Sequence, residues 1–305
     1  MNICGKMAES FGLDTLYLSE YVSNHNREYK KYYIKKKNGG QRVIFHPSKE
    51  LKMFQRWLVK NVYFKFPISN FSTAYCKKCS IKNNAQKHIN SKYMLHLDVE
   101  NFFPSITRQS MINYFKSKTG EKAIKELDLS VADIDFMLDV SLYSGRQLVI
   151  GSVSSPIISN IYMYDFDMQL NCYLIERGDY VFTRYADDLV ISSNKYIPIE
   201  IIDDIEKLLE NYNLTMNKKK TYFASKRKCR RVTGVVLDNN KKDITIGHER
   251  YRIIQRQIYN YLVKGIGDIN YIEGYLNYVK DINYRQYEQL KNTYSRYDNN
   301  RCLFF

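Results

Sequence analysis

The stretch Val181-Phe182-Thr183-Arg184-Tyr185-Ala186-Asp187-Asp188-Leu189-Val190-Ile191-Ser192 decides the fold of this chain. Two largely apolar arms flank a short polar tip, a pattern that predicts two strands joined by a tight turn. The tip carries two adjacent carboxylates, whose repulsion and lost hydration are explained if a divalent cation binds between them. Mg²⁺ suits oxygen ligands held on a rigid hairpin. The alternative is a solvated turn, because Asp is a common turn residue.

The composition favours a polyanionic partner. The 305 residues are too many for one small domain, so we expect two or three packed subdomains. Lys and Arg number 47 against 32 Asp and Glu, and the net charge of +15 favours nucleic acid or an acidic membrane surface. The 28 tyrosines offer stacking faces for single-stranded or structured nucleic acid, although they could instead replace other aromatic residues in the cores.

The sequence gives no sign of membrane insertion or secretion. No apolar run approaches the length of a membrane span, and residues 1–12 lack the apolar segment of a signal peptide. We therefore expect a cytoplasmic protein without a membrane partner, with its six cysteines reduced. Cys76 and Cys79 form a lone C-x-x-C pair without the second pair that a zinc site usually needs.

The order of the predicted elements is that of an α+β protein, a sheet domain with helical appendages. Residues 30–42 carry six basic residues and no acid around a glycine turn, which predicts a cationic β-hairpin. The segment 94–99 alternates and predicts a strand, with Leu95, Leu97 and Val99 on one face and Met94, His96 and Asp98 on the other. Helices are predicted over 51–64, 107–118, 130–145, 155–177 and 199–212 and from Glu249 onwards, with a capping box at Ser130 and Asp133.

Several blocks of the sequence resemble the motifs of reverse transcriptases, in the order that this family has. Asp98-Val99-Glu100-Asn101-Phe102-Phe103 resembles the first palm motif, and Tyr185-Ala186-Asp187-Asp188 resembles the third. The second palm motif is similar to residues 151–160, the fourth to residues 217–221, and the fingers blocks to residues 39–57. We therefore expect a right-hand polymerase fold with fingers, an antiparallel palm sheet with helices, and a small helical thumb.

Two further signatures resemble those of retron reverse transcriptases. They are Asn84-Ala85-Gln86-Lys87-His88 and Val232-Thr233-Gly234. A group II intron-like enzyme would need a maturase or nuclease extension, which we do not see. A non-catalytic RNA-binding scaffold could keep the same fold, but the presence of all three carboxylates argues against it. The resemblance divides the chain into fingers at 1–93, a first palm strand at 94–106, fingers and palm helices at 107–147, the palm with the hairpin at 148–238, and an RNA-binding thumb at 239–305.

The resemblance also implies the roles of the site residues. Nucleotidyl transfer uses two metal ions about 3.5–4 Å apart, and we expect two Mg²⁺ ions. The implied catalytic residues and metal ligands are Asp98, Asp187 and Asp188, with the carbonyl of Val99 as a further ligand. The implied nucleotide-binding residues are Lys36 and Arg42 at the triphosphate, Phe103 under the sugar, where it excludes a 2′-OH, and Lys220 near the leaving phosphates.

A third group of residues is expected to bind nucleic acid. It comprises Asn84, His88, Lys218, Lys219, Arg230, Arg231, Thr233 and Gly234. Several of these implied roles have an alternative. A lone histidine is more often structural, the basic run from Lys218 to Arg231 could be a solvated face, and Phe102 and Phe103 of the first palm motif could both belong to the core. Val149-Ile150 stands where relatives usually carry Pro-Gln, so the hydrogen bond from that Gln to the nucleotide is lost.

The biological setting also follows from the resemblance alone. Retron enzymes bind a structured non-coding RNA encoded beside them and begin DNA synthesis from the 2′-OH of a guanosine. The expected partners are therefore this cognate RNA, its branched RNA–DNA product (msDNA), dNTPs and an accessory effector protein in anti-phage defence.

Overall fold

The computed structural model describes residues 2–23, 29–35, 39–240, 243–298 and 302–304. The helices within these ranges are α1 (Ile3–Phe11), α2 (Thr15–Ser23), α3 (Lys49–Asn61), α4 (Ile81–Lys87), α5 (Phe102–Ser105), α6 (Arg108–Phe115), α7 (Lys118–Glu126), α8 (Val131–Ser141), α9 (Ser155–Tyr162), α10 (Tyr164–Arg177), α11 (Glu200–Glu210), α12 (His248–Lys264), α13 (Ile269–Ile282) and α14 (Tyr284–Tyr294). The strands are β1 (Tyr29–Lys35), β2 (Gln41–Pro47), β3 (Tyr93–Glu100), β4 (Tyr180–Tyr185), β5 (Asp188–Ser193), β6 (Thr215–Met216), β7 (Tyr222–Ser225), β8 (Arg230–Val232), β9 (Val235–Leu237) and β10 (Ile244–Thr245). The α+β class is confirmed.

Strand β3 lies at the centre of a five-stranded antiparallel sheet. On one side it pairs with β5, which in turn pairs with β4. On the other side it pairs with β7 along its first half and with β6 at its end. Because a strand presents alternate residues to opposite faces, β3 can contribute to two different cores.

The two faces of this sheet bury two separate cores, and the residues of β3 divide between the faces as predicted. Leu95, Leu97 and Val99 join the larger core, which is built mainly from the helices of the N-terminal two thirds. Met94 lies on the other face and joins a second core with Val190 and the helices α12 to α14. Asp98 shares the face of Met94 and lines a cleft there with Lys220 and the turn at Thr233 and Gly234.

The cationic hairpin is confirmed by the antiparallel pairing of β1 with β2. Its second strand docks against the loop before α9, where the Phe45 amide donates to the carbonyl of Ile150 at 2.8 Å. Gly151 follows with φ +105°, and a Cβ at this position would lie 2.4 Å from the Phe45 carbonyl oxygen. Only glycine therefore permits this close contact. Lys36 lies outside the described residues.

Some of the predicted helices are interrupted or shortened. The segment 155–177 forms two helices, α9 and α10, which are separated at Met163, where ψ is 0°. The helix predicted over 107–118 ends at Phe115, and Ser117 caps α7 instead. The capping box of α8 is confirmed, but α8 ends at Ser141, and Gly145 lies beyond it in a turn.

The expectation that all six cysteines are reduced is wrong for one pair. Cys76 and Cys79 are joined by a disulfide, because the loop that carries them brings their Cα atoms to 5.4 Å. Cys4, Cys172, Cys229 and Cys302 are free. Across the described ranges, no helix is both long enough and apolar enough to cross a membrane.

Candidate active site

Three carboxylates meet at one end of the central sheet because of the strand register. Asp98 on β3 lies opposite Asp188, the first residue of β5. The turn between β4 and β5 has only two residues, Ala186 and Asp187, and Ala186 adopts φ +57°. The amide of Val99 donates to the carbonyl of Asp187 at 3.1 Å, which ties the turn to the central strand.

The pKa values of Asp187 and Asp188 show that the nearby positive charge does not balance the three carboxylates. Burial raises the pKa of Asp187, and the charge of Asp98 raises it further, while Lys220 and Arg42 oppose the rise. The side chain of Asp188 keeps an exposed face towards the cleft, but the surrounding protein removes much of its water. This burial, followed by the charges of Asp187 and Asp98, raises the pKa of Asp188 to about 7.

Lys220 supplies the direct counter-charge to Asp98. Its Nζ lies 2.9 Å and 2.8 Å from the two carboxylate oxygens of Asp98, which is itself buried. Burial alone would lower the pKa of Lys220, but the hydrogen bond and the charge of Asp98 raise it. A 3₁₀ turn over Lys218–Lys220, directly after β6, presents this lysine to the end of β3.

The residues present fit a hard divalent cation. Their donors are all carboxylate oxygens, the type that Mg²⁺ prefers, and the raised pKa values of Asp187 and Asp188 indicate missing positive charge. In the part of the chain that the structure describes, no set of three His, Cys, Asp or Glu side chains already forms a metal-binding cluster. Lys220 engages both oxygens of Asp98 instead.

A cleft of about 660 Å³ opens beside the carboxylates and joins them to part of the predicted nucleic-acid surface. Asp98, Asp188 and Tyr185 line it together with residues that lie further along the chain, in strands and in the turns between them: Lys219, Lys220, Tyr222, Arg231, Thr233 and Gly234. Thr233 and Gly234 form the turn between β8 and β9 and both have positive φ, +45° and +84°. Arg250 on α12 donates to the carbonyl of Gly234 at 2.9 Å, which links this turn to the C-terminal helices.

The cationic hairpin reaches the same site from the other side. Arg42 on β2 is exposed, and it is one of the two cations that oppose the rise in the pKa of Asp187. Phe103 on α5 is half-buried, and its ring lies 5.5 Å from that of Phe102, which is buried in the larger core. Of the two phenylalanines, only Phe103 is therefore available to contact a ligand.

Three of the predicted nucleic-acid-binding residues have buried side chains, so the structure does not present them for direct contact. His88 is fully enclosed and is satisfied by Ser192 and Thr183, each at 2.7 Å from one of its ring nitrogens. Burial lowers the pKa of His88 to about 3, so the ring is neutral. Asn84 is equally buried, and Arg230 donates inwards to the carbonyl of Ser91 and to Asn239. Through its two contacts, His88 joins the end of α4 to β4 and β5 behind the catalytic turn.

Lys218 and Lys219 differ in their surroundings. Both are exposed, but the Nζ of Lys218 pairs with Glu206 on α11 at 3.0 Å and does not line the cleft. Lys219 lies in the cleft wall beside Lys220. The structure therefore assembles Lys219, Arg231, Thr233 and Gly234 at the cleft, and leaves Lys218 outside it.

The sequence reasoning missed a buried network behind the turn. Arg184, the last residue but one of β4, is fully buried and donates to both carboxylate oxygens of Asp167 on α10, at 2.7 Å and 2.8 Å. Its Nη1 also reaches Asn160 Oδ1 at 3.1 Å and the carbonyl of Ala186 at 3.3 Å. Arg184 thus holds the turn that carries Asp187. An arginine within an otherwise apolar strand is the signal that could have revealed it.

Comparison with known proteins assigns this fold and site to a class. Residues 34–237 match the model of a family described as Reverse transcriptase (RNA-dependent DNA polymerase). The chain belongs to this family and is an RNA-directed DNA polymerase. Enzymes with this domain generally use divalent metal ions, in agreement with the carboxylate site.

Within this family the chain is a retron reverse transcriptase. It is 31% identical over 277 residues to the retron Ec73 reverse transcriptase of Escherichia coli, and the match covers 87% of this chain and 86% of that relative. It is 29% identical over 286 residues to the retron Ec86 reverse transcriptase of the same organism, with 93% of this chain and 85% of the relative covered. The retron resemblance of the motifs is confirmed.

Solved structures of telomerase share the fold. The telomerase of Candida tropicalis has a TM-score of 0.51 at 12% identity, and the match covers 93% of this chain and 62% of that one. Telomerase from Candida albicans, solved with a fragment of telomeric RNA, has a TM-score of 0.50 at 13% identity, covering 96% of this chain and 61% of that one. The chain therefore spans about three fifths of these proteins, and the likeness extends to the fold alone.

Proposed function

We propose that this retron reverse transcriptase copies part of a cognate structured non-coding RNA into DNA, primed from the 2′-OH of a guanosine. The product would be a branched RNA–DNA hybrid (msDNA). The observation that carries this proposal is the continuous cleft from Asp98 and Asp188 to Arg231 and the Thr233–Gly234 turn. A primer strand that lies along the turn would bring its terminal hydroxyl towards the carboxylates.

Two Mg²⁺ ions are the proposed cofactor, with Asp98, Asp187, Asp188 and the carbonyl of Val99 as ligands. When bound, such ions lower the pKa of the attacking hydroxyl and stabilise the leaving pyrophosphate. The raised pKa values of Asp187 and Asp188 support this assignment, because a carboxyl group that is costly to ionise gains most from a bound cation.

The protein's own groups would orient the nucleotide and supply protons. Arg42, together with Lys36, would neutralise the triphosphate. Phe103 would pack under the sugar and exclude a 2′-OH. Lys220, a protonated amine at Asp98, would turn to the leaving phosphate and donate a proton there.

The proposed nucleic-acid surface continues from the cleft to the C-terminal helices. Lys219 and Arg231 would contact phosphates, and the backbone at Thr233 and Gly234 would lie against the primer strand. Helix α13 adds tyrosines whose rings follow one another, which suit stacking on unpaired bases. The division into fingers, palm and thumb at residues 93, 106, 147 and 238 stays a prediction, as do the cytoplasmic location, the effector protein and the role in anti-phage defence.

The nucleic acid that co-purifies with the protein tests this function. We expect an RNA with DNA joined to it by a 2′–5′ linkage. The branch point should stop primer extension along the RNA, and the DNA should not separate from the RNA. The matched control is the Asp187→Asn, Asp188→Asn double variant from the same cells, which should carry the RNA without DNA. Recovery of only unbranched nucleic acid from the unaltered protein would contradict the retron mechanism.

A further inference from the structure

Tyr75 lies between two residues of the active site, although no motif includes it. Its ring centroid is 6.5 Å from that of Phe103 and 6.5 Å from that of Tyr185, with interplanar angles of 43° and 42°. Asp187 is also close, since its charge adds to burial in raising the pKa of the Tyr75 hydroxyl. Yet Tyr75 is 42% exposed, so part of its ring remains open to a ligand.

The backbone of Tyr75 adopts a conformation that disfavours a bulky side chain. Its φ is +59°, in the left-handed region, where a residue with a Cβ pays a steric cost that glycine avoids. Strain of this kind persists only where the surrounding structure imposes it, and it concentrates at functional sites. The burial of the ring does not account for the strain, because the ring is only partly covered.

The loop before Tyr75 is fixed by the same network that holds the catalytic turn. Asn160 donates to the carbonyl of Ala74 at 2.7 Å and accepts from Ser72 Oγ at 2.9 Å. The amide of Thr73 donates to the carbonyl of Arg184 at 2.8 Å. The Cys76–Cys79 disulfide closes the chain directly after Tyr75. The backbone that carries the Tyr75 ring is therefore fixed both before and after this residue.

We propose that Tyr75 is a positioning residue for the incoming nucleotide, which holds the Phe103 ring in place and thereby sets the preference for deoxynucleotides over ribonucleotides. This inference rests on the proposed function, in which Phe103 packs under the sugar. Without the Tyr75 ring, Phe103 loses its outer neighbour and has space to move away from the sugar. A 2′-OH would then be tolerated, and every nucleotide would bind more weakly.

Single-nucleotide extension on an RNA template measures this directly, with kcat and KM determined for a dNTP and for the matching rNTP. Tyr75→Ala should raise the KM for the dNTP and reduce the dNTP preference, each by about two- to tenfold, the value of one aromatic contact. The kcat for the dNTP should change by less than about twofold, since no group that touches the reacting atoms is removed. Tyr75→Phe should behave as the unaltered protein, because the ring is kept.

Two further variants keep the result interpretable. Tyr75→Gly removes the ring and also the steric cost at φ +59°, so it guards against a folding defect in the alanine variant and should show the same loss of preference. Tyr196→Ala, at a tyrosine that is 69% exposed and contacts neither Phe103 nor Tyr185, is the matched control and should change nothing.

The outcomes separate the two proposals. An unchanged preference and KM in both Tyr75→Ala and Tyr75→Gly, or a fall in kcat at constant KM, would overturn the role of Tyr75. If Phe103→Ala relaxes the preference in the same assay, only the inference about Tyr75 has then failed. If Phe103→Ala leaves the preference unchanged, the proposed role of Phe103 is wrong as well.

Discussion

The buried ion pair between Arg184 and Asp167 allows a stringent test of how the catalytic turn is held. Both side chains are fully buried, and Asp167 accepts two of the hydrogen bonds that Arg184 donates. Asp167→Ala leaves the guanidinium without its counter-charge in a site that water does not reach. Removal of one partner from such a pair costs about 3–5 kcal/mol, so we expect the free energy of unfolding to fall by about that amount.

Urea unfolding measures this change, because the single tryptophan, Trp57, packs against the larger core and reports its exposure. The matched control is Glu126→Ala, which breaks the exposed ion pair of Lys122 with Glu126 and should cost less than about 0.5 kcal/mol. A loss of less than about 1 kcal/mol for Asp167→Ala would refute the reasoning, since an uncompensated buried charge destabilises the folded state by more than this.

A double variant then separates stability from catalytic geometry. Asp167→Leu with Arg184→Met replaces the pair by apolar side chains and should restore most of the stability, because such replacements are often neutral. DNA synthesis should not recover, since the carbonyl of Ala186 and the amide of Asn160 still lack the contacts that Arg184 makes. A displaced catalytic group costs up to about 10²-fold in rate. Full recovery of synthesis together with stability would show that Arg184 does not position the turn.

Three further predictions concern other parts of the site. Because burial lowers the pKa of His88 from 6.5 to about 3, its neutral ring contributes stability that is complete above about pH 6.5 and is lost as the pH falls, by about 1.4 kcal/mol per pH unit. His88→Gln should therefore reduce the amount by which the unfolding free energy falls between pH 6 and pH 4. An equal fall in the variant and the unaltered protein would argue against a neutral buried ring. Lys220→Met should lower kcat by about 10²-fold with little change in the KM for dNTP, measured by steady-state extension, and an unaltered kcat would exclude proton donation by Lys220. Arg231→Ala should reduce the slope of log K for RNA binding against log salt concentration by about one unit, because one phosphate contact is lost. Lys218→Ala, outside the cleft, should leave this slope unchanged, and equal effects of the two variants would contradict the cleft as the binding surface.

Features that depend on neighbouring residues could be predicted from the sequence. The alternation of β3 assigned Leu95 and Met94 to opposite faces, and these faces bury two different cores. The capping box of α8 forms between Ser130 and Asp133, because both partners lie within one helical turn. The motif Tyr185–Asp188 forms the expected turn, since its residues and those of the flanking strands set its geometry locally.

Features that depend on distant contacts could not be predicted. Arg230 lies in a basic run that looks solvated, yet the fold directs it inwards to Ser91, which is far away in the sequence. His88 finds its partners on β4 and β5, and no spacing indicates such a pairing. The break at Met163 contains neither glycine nor proline, so the apolar periodicity continues across it and suggests one long helix.

The central claim is that Asp187 and Asp188 carry out RNA-templated DNA synthesis in this protein. The most direct measurement is extension of a primer on an RNA template with Mg²⁺ and dNTPs, by the unaltered protein and by the Asp187→Asn, Asp188→Asn variant. We expect rapid extension by the former and none above background by the latter, while both bind the RNA. The variant should be at least as stable to unfolding, because it no longer buries two mutually repelling carboxylates. Extension at an equal rate by the double variant would contradict the claim.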